Sequence, residues 1–362
     1  MTQPIPEATI SPLSTYEKFL EGEKIPVIKG FHIDDLNTVP VEPWERKGAF
    51  GTYIYLDGTG GVADCYVCEI PPSGRIKPQK QLIEEIIYIL KGRGATTVWQ
   101  DGEKHTFEWQ EGSLFAPPLN TWYQMFNGQG DRPVRFLSYT NAPLVINLFH
   151  NMDFVFENPF TFKDRFNDQA DYFSGKGRFL SGYSTVWETN FMPDVKTCQL
   201  YERPRRGKND RNLTLEISEG TLAAHVSEFQ VGTYKKAHRH GPAAHVVILS
   251  GSGYSLLWPE GEAPKRVDWQ AGSVEVPPNM WFHQHFNTGP EPARYLALRY
   301  GGQKYRIAVG HGEHVENFAT STKEGGHQIE YEDENPRIRE VYEEECAKNG
   351  AEVRMPLLRK AS

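Results

Sequence analysis

Five of the twelve histidines of the chain fall between positions 238 and 285, in a spacing suited to holding a metal ion. His238 and His240 are two residues apart, as are His283 and His285, so each pair points to one face of an extended strand. His245 opens the apolar run after the first pair. Imidazole nitrogens bind Fe, Mn, Ni, Cu and Zn. Several imidazoles packed together would repel one another if protonated, whereas a metal ion binds their neutral form. The expected metal ligands are His238, His240, His245 and His283.

Other side chains near these histidines are candidates for handling a substrate. His285 shares a face with His283, and we expect it to act as a catalytic base or to make a structural hydrogen bond. Trp258 and Trp281 are expected to wall the pocket, and Arg299, near the end of a late strand, to pair with a substrate carboxylate. Four imidazoles without a carboxylate leave the divalent charge of the metal undiminished, which favours an anionic or enolizable small molecule.

The elements that must position these side chains occur twice in the sequence. EEIIYILKGRG at 84–94 matches AAHVVILSGSG at 243–253, and GSLFAPPLNTWYQMFN at 112–127 matches GSVEVPPNMWFHQHFN at 272–287. Apolar runs of about 5–8 residues, punctuated by turn signals, indicate antiparallel β-units. The sequence therefore predicts an all-β protein with two similar barrels in tandem and short peripheral helices.

The second repeat resembles the cupin superfamily through two motifs. The residues that match the first motif, G-x5-H-x-H-x3,4-E-x6-G, are Gly232, His238, His240, His245 in place of glutamate, and Gly251 or Gly253. The residues that match the second, G-x5-P-x-G-x2-H-x3-N, are Gly272, Pro278, His283 and Asn287, with Met280 in place of the middle glycine. The resemblance implies two cupin barrels, that is, double-stranded β-helices of the jelly-roll type.

A finer resemblance concerns the residues between the ligands. Arg239 within His-Arg-His, and the segment 281–287, look like the gentisate 1,2-dioxygenase group of bicupins. That resemblance implies ferrous iron, O2 as a co-substrate and a homo-oligomer. In that group the metal is usually held by the N-terminal repeat, whereas the histidines here lie in the C-terminal one.

The first repeat lacks imidazoles at the matching positions. The side chains found there are Gln79, Gln81, Glu85 and Tyr123. Amides are weak ligands for these metals, so we expect the first barrel to be metal-free and to have a structural role. The predicted cofactor is therefore one divalent metal ion per chain, with Fe(II) favoured and Mn(II), Ni(II) and Zn(II) left open.

Composition narrows the classes of protein that the chain can belong to. It has 362 residues and a formal net charge of -8, without a basic stripe for nucleic acid or for an anionic membrane surface. No apolar run is long enough to predict a membrane span or a secretory signal. Cys65 and Cys68, three apart on an apolar strand, should point to opposite faces as free buried thiols. These features predict a reduced, cytoplasmic protein.

The repeats and their flanks divide the chain into predicted segments. They are an N-terminal arm with a short helix (1–45), a metal-free barrel (46–140), a connector (141–182), a metal-binding barrel (183–310) and a charged C-terminal segment with a helix (311–362).

Three functions are compatible with this pattern. The favoured one is a mononuclear iron dioxygenase, an oxidoreductase that cleaves a C–C bond in a small hydroxylated aromatic or enolic acid. The second is a redox-neutral metal-dependent lyase, decarboxylase or isomerase, and the third is a bicupin that binds a ligand without catalysis. The first uses O2, whereas the second predicts turnover without it.

Overall fold

The computed structural model of the chain describes residues 11–100, 102–202, 211–241, 243–305 and 320–355. Within these ranges the α-helices are α1 (Thr15–Glu23), α2 (Ala142–Phe149), α3 (Met152–Phe156) and α4 (Pro336–Lys348). Short 3-10 helices cover Thr322–Glu324 and Tyr331–Asp333.

Most of the remaining regular structure is β-sheet. The strands of the first half are β1 (Val27–Ile28), β2 (His32–Ile33), β3 (Glu42–Trp44), β4 (Ala49–Ile54), β5 (Asp64–Ile70), β6 (Glu85–Lys91), β7 (Arg93–Trp99), β8 (His105–Gln110), β9 (Leu114–Phe115), β10 (Trp122–Asn127) and β11 (Val134–Thr140). Those of the second half are β12 (Gly177–Phe179), β13 (Val186–Thr189), β14 (Phe191–Met192), β15 (Tyr201–Glu202), β16 (Arg211–Ile217), β17 (Leu222–Phe229), β18 (His245–Ser250), β19 (Ser252–Trp258), β20 (Lys265–Gln270), β21 (Val274–Glu275), β22 (Phe282–Asn287) and β23 (Ala293–Tyr300).

The first barrel consists of two facing sheets. Its larger sheet has the order β1-β4-β5-β11-β6-β9-β14, with β3 beside β4, and its smaller sheet has the order β10-β7-β8. Strand β6 is apolar on both faces for a structural reason. Ile87 and Ile89 point into the barrel, while Ile86, Tyr88 and Leu90 pack in a second core outside it.

The second barrel repeats this topology, with the additional strand β12 at one edge of its larger sheet. Its larger sheet has the order β12-β13-β16-β17-β23-β18-β21-β2, with β15 beside β16, and its smaller sheet has the order β20-β19-β22. The central quartet β17-β23-β18-β21 corresponds to β5-β11-β6-β9. The prediction of an all-β chain with two tandem barrels and short peripheral helices is confirmed.

Each barrel receives an edge strand from the segment that precedes the other barrel. Strand β2 of the N-terminal arm pairs with β21 of the second barrel, and β14 pairs with β9 of the first. The predicted boundary at residue 183 therefore needs a correction, because Phe191 and Met192 belong to the sheet of the first barrel. Strand β12, placed in the predicted connector, joins the sheet of the second barrel.

The two larger sheets share one apolar core between the barrels. It combines residues of β6 and β11, such as Tyr88 and Leu137, with residues of β18 and β23, such as Val247 and Leu298. Glu84, directly before β6 of the first barrel, links the two barrels by a polar contact. Its carboxylate accepts a hydrogen bond at 2.9 Å from the backbone N–H of Thr221, directly before β17 of the second barrel, and pairs with Arg165 at 2.7 Å. The barrels are thus joined over a buried face.

The helices pack outside the barrels. Ser14 and Glu17 form a capping box at the start of α1, and Asn335 caps α4 ahead of Pro336. Helix α4 buries Tyr342 and Cys346 against the outer face of the smaller sheet of the second barrel. No helix among the described residues is long and apolar enough to cross a membrane.

Candidate metal centre

Three imidazoles converge inside the second barrel. His238 and His240 lie on the extended segment before β18, and His283 lies on β22. Each of the three offers a ligand nitrogen, and these atoms lie within 4.8 Å of one another. The ring centroids of His238 and His283 are 4.2 Å apart, and those of His240 and His283 are 4.9 Å apart. This group could hold one metal ion.

Backbone hydrogen bonds fix the two segments that carry the group. The N–H of His238 donates to the carbonyl of His283 at 3.1 Å, and the N–H of His283 donates back at 2.8 Å. The N–H of Met280 donates to the carbonyl of His240 at 3.1 Å. Met280 occupies the glycine position of the second motif in a left-handed conformation, with φ of 60°. This turn therefore joins the two motifs at the centre.

The orientation of the rings fits a cation. Nδ1 of His238 faces the carbonyl of Lys236 at 3.3 Å, and Nδ1 of His283 faces the carbonyl of Trp281 at 3.1 Å. A carbonyl oxygen can only accept, so in both neutral rings the proton belongs on Nδ1. The lone pair then lies on Nε2, which is the arrangement that metal-binding histidines adopt.

The structure does not bring His245 to this group. Its neighbour Val246 packs in the core inside the second barrel, so His245 points to the opposite face, between the barrels. There its ring lies 5.3 Å from the ring of Tyr139, and neither ring nitrogen has a hydrogen-bond partner among the described residues. Burial lowers the pKa of His245 to about 3. The expectation that His245 is a ligand is corrected by the alternation of the strand.

His285 forms a buried pair with a carboxylate. Its Nδ1 lies 2.9 Å from Oε1 of Glu275 and 2.8 Å from Oγ of Ser255. The Ser255 hydroxyl also lies 2.7 Å from the same oxygen of Glu275, and Trp269 donates to that hydroxyl at 3.1 Å. The other carboxylate oxygen, Oε2, has no hydrogen-bond partner among the described residues. The pair directs Nδ1–H of His285 to Glu275 and leaves Nε2 as the basic nitrogen.

The remaining predicted site residues fall into different places. Trp258 lies on the outer face of the smaller sheet, where it stacks on Phe282 at 5.7 Å, so it does not wall the pocket. Leu257 of β19 pairs with His283 and therefore faces the inside of the barrel. Because side chains alternate along a strand, the next residue, Trp258, faces outward. Trp281 lies directly before β22, and its indole is 5.2 Å from the ammonium of Lys265, which begins β20 on the other side of β19.

Two arginines near the motifs have opposite orientations. Arg299 lies on the inner face of β23, because its neighbours Leu298 and Tyr300 pack in the core between the barrels. Arg239 points outside, where its guanidinium pairs with Glu260 at 2.7 Å and lies 4.7 Å from the ring of Phe282.

In the first barrel a lysine lies where the second barrel has its imidazoles. The ammonium of Lys47 is 3.2 Å from the hydroxyl of Tyr123 and 3.7 Å from the carboxylate of Glu85. Tyr66 donates to the same carboxylate at 2.7 Å, and Tyr123 donates to it as well. Despite burial, which raises it, the pKa of Glu85 is held below its ordinary value by Lys47 and the two phenols. The charge of this carboxylate is thus balanced within the protein.

Sequence reasoning missed Glu275, Lys47 and the buried Lys235, whose ammonium lies 3.0 Å from the Tyr295 hydroxyl. Comparison of the repeats contained a signal for the first. The apolar positions Phe115 and Met125 of the first repeat, both in its interior core, become Glu275 and His285 in the second. A pair of apolar residues replaced together by an acid and a base indicates contact. Lys47 precedes the first repeat, and Lys235 occupies an unspecified position between Gly232 and His238 of the first motif, so neither lysine carried such a signal.

No protein-family model and no curated protein sequence matches the chain. Its fold is similar to solved structures of oxalate decarboxylase OxdC from Bacillus subtilis. A structure described for its Mn(II) centres has 13% identity and a TM-score of 0.50, over 78% of this chain and 80% of its own. Two variants of that enzyme, each at 12% identity and a TM-score of 0.50, cover 78% and 77% of this chain and 80% and 78% of their own. At these identities the similarity concerns the fold, and together with the repeated topology it shows that this chain has the bicupin fold.

Proposed function

We propose that the second barrel is a mononuclear metal-dependent active site that cleaves a C–C bond of a small organic acid without net oxidation, as a decarboxylase or a related lyase does. One observation carries the proposal. Three imidazoles converge on the inner face of the barrel, and a fourth imidazole, oriented by a buried carboxylate, follows two residues later on the same strand.

His238, His240 and His283 would hold the metal, which supplies a Lewis acid that stabilises negative charge developing on a bound oxygen atom. The imidazoles are neutral ligands, so they do not offset the charge of the cation. The site therefore favours an anionic substrate over a neutral one.

His285 is proposed to move the proton that a redox-neutral cleavage requires. Loss of CO2 leaves an electron pair on carbon, and a proton must replace the carboxyl group. The contacts of Nδ1 with Glu275 and Ser255 orient the ring and leave Nε2 to carry that proton. Because His285 and His283 lie on one face of β22, with centroids 5.8 Å apart, the proton would be held beside the metal.

The fold comparison supports the same reaction class. The similar structures include oxalate decarboxylase with Mn(II) centres, a bicupin that acts on a small organic acid. We propose Mn(II) as the first metal to test, followed by Fe(II), Ni(II) and Zn(II).

A second candidate is the Fe(II)-dependent dioxygenase. The observation that favours it is the arrangement of Arg239 and residues 281–287, which look like the gentisate 1,2-dioxygenase group. A site whose candidate ligands are all imidazoles is compatible with both candidates.

Turnover with and without O2 separates the two reactions. Protein loaded with Mn(II), Fe(II) or Zn(II) is incubated under argon and in air with a panel of small dicarboxylates, keto acids and hydroxylated aromatic acids, while CO2 release and O2 consumption are recorded. We expect substrate loss with CO2 release under argon. Substrate loss only in air, with stoichiometric O2 uptake and Fe(II), would favour the dioxygenase instead. The His238→Ala variant, lacking one ligand, is the inactive control.

A further inference from the structure

The two barrels differ in one row of inward-facing residues at corresponding positions. In the first barrel, Thr140 of β11 pairs with Asp64 of β5 on one side and with Glu85 of β6 on the other. Both flanking residues are carboxylic acids, and both are buried. The hydroxyl of Thr140 donates to Asp64, and Glu85 lies among Lys47 and the two tyrosines.

The second barrel has the row Ala223–Arg299–Ala244. Arg299 of β23 pairs with Ala223 of β17. On the other side, His245 pairs with Leu298, so Ala244 lies beside Arg299. Ala244 packs against the core inside the barrel, which places it on the inner face with Arg299. Two carboxylic acids have become two methyl groups, and the central threonine has become an arginine.

The first barrel shows where a side chain at position 244 points. Glu85 occupies the matching position, and its carboxylate accepts a hydrogen bond from Tyr123. Tyr123 in turn corresponds to His283, because Gln79 bridges to Tyr123 as His238 bridges to His283. The place that this carboxylate occupies in the first barrel therefore corresponds to a place beside the imidazole of His283 in the second barrel.

This combination has a charge consequence. Two acids are absent from the row, and a guanidinium stands between the positions they would occupy. A guanidinium offers paired N–H donors that match the two oxygens of a carboxylate. Beyond Ala223 the row continues to the buried Glu216, whose Oε1 accepts a hydrogen bond from the Gln303 backbone at 2.6 Å. Neither position that directly flanks Arg299 carries an acid, and on the side of Ala244 the guanidinium lies toward the imidazole group.

We propose that the row Ala223–Arg299–Ala244 is a carboxylate-binding subsite, in which a carboxylate of the ligand fills the space that the acids of the first barrel occupy. This inference rests on the proposed function for the position of the metal, and it narrows the substrate to an acid that presents a carboxylate to Arg299 while its reacting end faces the imidazoles. Arg299 would select ligands that carry a carboxylate, and the small side chains of Ala223 and Ala244 would leave room for that carboxylate.

Titration calorimetry tests the subsite independently of turnover. Mn(II)-loaded protein is titrated with oxalate, with propionate and with the neutral isostere propionamide. We expect both carboxylates to bind, propionamide to bind at least about tenfold more weakly, and Arg299→Gln to lower carboxylate affinity about 10- to 100-fold. Ala244→Glu, which returns an acid to the row, should lower it by a similar factor, and Arg299→Lys should lose less than Arg299→Gln.

The matched control is Arg178→Gln, which removes one positive charge from a side chain that is 75% exposed and paired with Glu188. It should bind the carboxylates as the wild type does. Metal content and thermal unfolding of each variant establish that the protein is folded and loaded.

Wild-type affinity in Arg299→Gln, equal binding of propionate and propionamide, or no binding of either carboxylate would each overturn the subsite. Failure of the proposed function has a different signature, because the wild type would then release no CO2 from any acid under argon, whether or not it retains metal. In that case the same titrations, on metal-free protein if no metal is retained, decide the subsite, which predicts that carboxylate binding still depends on Arg299.

Discussion

His245 and Ala244 are neighbours on one strand, and the alternation of that strand decides which of them faces the imidazole group. Ala244 faces inward, and His245 faces the core between the barrels at the position that Ile86 has in the first barrel. Burial lowers the pKa of His245 to about 3 and keeps the ring neutral, and in the part of the chain that the structure describes its nitrogens have no hydrogen-bond partner. A histidine in that place influences stability rather than metal binding.

Replacing His245 by isoleucine should make the protein less sensitive to acid. Between pH 6.5, the ordinary pKa, and the folded value of about 3, the unfolded chain binds a proton that the folded chain does not. Stability therefore falls as pH falls from about 6.5, by about 1.4 kcal/mol per pH unit from this one group. Urea unfolding of wild type and His245→Ile at pH 7, 6 and 5 should show the wild type losing more of its free energy of unfolding.

The same variant tests the correction to the ligand set. We expect His245→Ile to retain the metal content of the wild type, because its ring lies on the face away from the imidazole group. Loss of the metal in a folded His245→Ile protein would contradict this assignment.

Glu275 is the residue whose charge is expected to orient His285. Glu275→Gln keeps the size of the side chain but removes the acceptor charge for Nδ1–H. We expect kcat to fall about 10- to 100-fold while KM and metal content stay near their wild-type values. Steady-state kinetics with the substrate found in the anaerobic panel measure the effect, and Glu262→Gln, an exposed glutamate, is the control. Parallel losses of metal and of kcat would instead indicate a structural role.

At the scale of the elements, the exchanged edge strands are held by two corresponding tight turns. Gly272 has φ of 96°, and because it lacks a side chain, Asp35 of the N-terminal arm can pack against its backbone. Gly112, with φ of 90°, leaves the same room for Asp194. Both aspartates hold backbone N–H groups of their own segments, Asn37 at 2.8 Å and Lys196 at 2.7 Å. Each barrel is therefore locked to the segment that precedes the other.

Alanine at either glycine should loosen the exchanged strands. A Cβ at Gly272 would lie 2.4 Å from Oδ1 of Asp35, and one at Gly112 would lie 2.3 Å from Oδ1 of Asp194. Alanine also tolerates a positive φ less well than glycine does. For both reasons we expect each variant to lose about 1–3 kcal/mol of the free energy of unfolding, measured in urea. Gly22→Ala, in the last turn of α1 where an added Cβ has no atom within 4 Å, should instead gain about 0.4–1 kcal/mol through the lower entropy of the unfolded chain. Equal stability of all three variants would contradict the proposed locking.

At the scale of the whole molecule, one topology carries two different interiors. The first barrel balances Glu85 with the buried ammonium of Lys47 and two phenols, whereas the second presents three imidazoles. The ammonium of Lys47 inside the first barrel repels a metal cation, and the amide side chains of Gln79 and Gln81 are weak ligands for such a metal. The shared apolar face between the barrels lets the first one act as a rigid support for the second.

Metal analysis of the intact chain should find one divalent ion per chain. We expect elemental analysis after loading and dialysis to give that ratio for the wild type and for Gln81→Ala, and close to zero for His240→Ala with His283→Ala. Two ions per wild-type chain would contradict the assignment of Lys47 as the internal cation of the first barrel.

The sequence by itself determined the fold class, the duplication and three histidines that the folded chain brings together. The period of two along a strand is a local property, so His238 and His240, and Cys65 and Cys68, could be assigned to faces from their spacing alone. Cys65 indeed packs between the barrels and Cys68 inside the first one. Turn residues and apolar runs likewise depend on neighbours in sequence, which is why the two barrels could be predicted.

Only the tertiary structure decided which of Ala244 and His245 faces inward, because a shift of one residue ahead of β18 reverses every side chain of the strand. It also decided that Glu275 meets His285, that Lys47 reaches Glu85, and that Trp258 lies outside. These contacts join residues from different strands, and their partners are set by the pairing of the sheets and the closure of the barrel. Spacing along the chain does not carry that information.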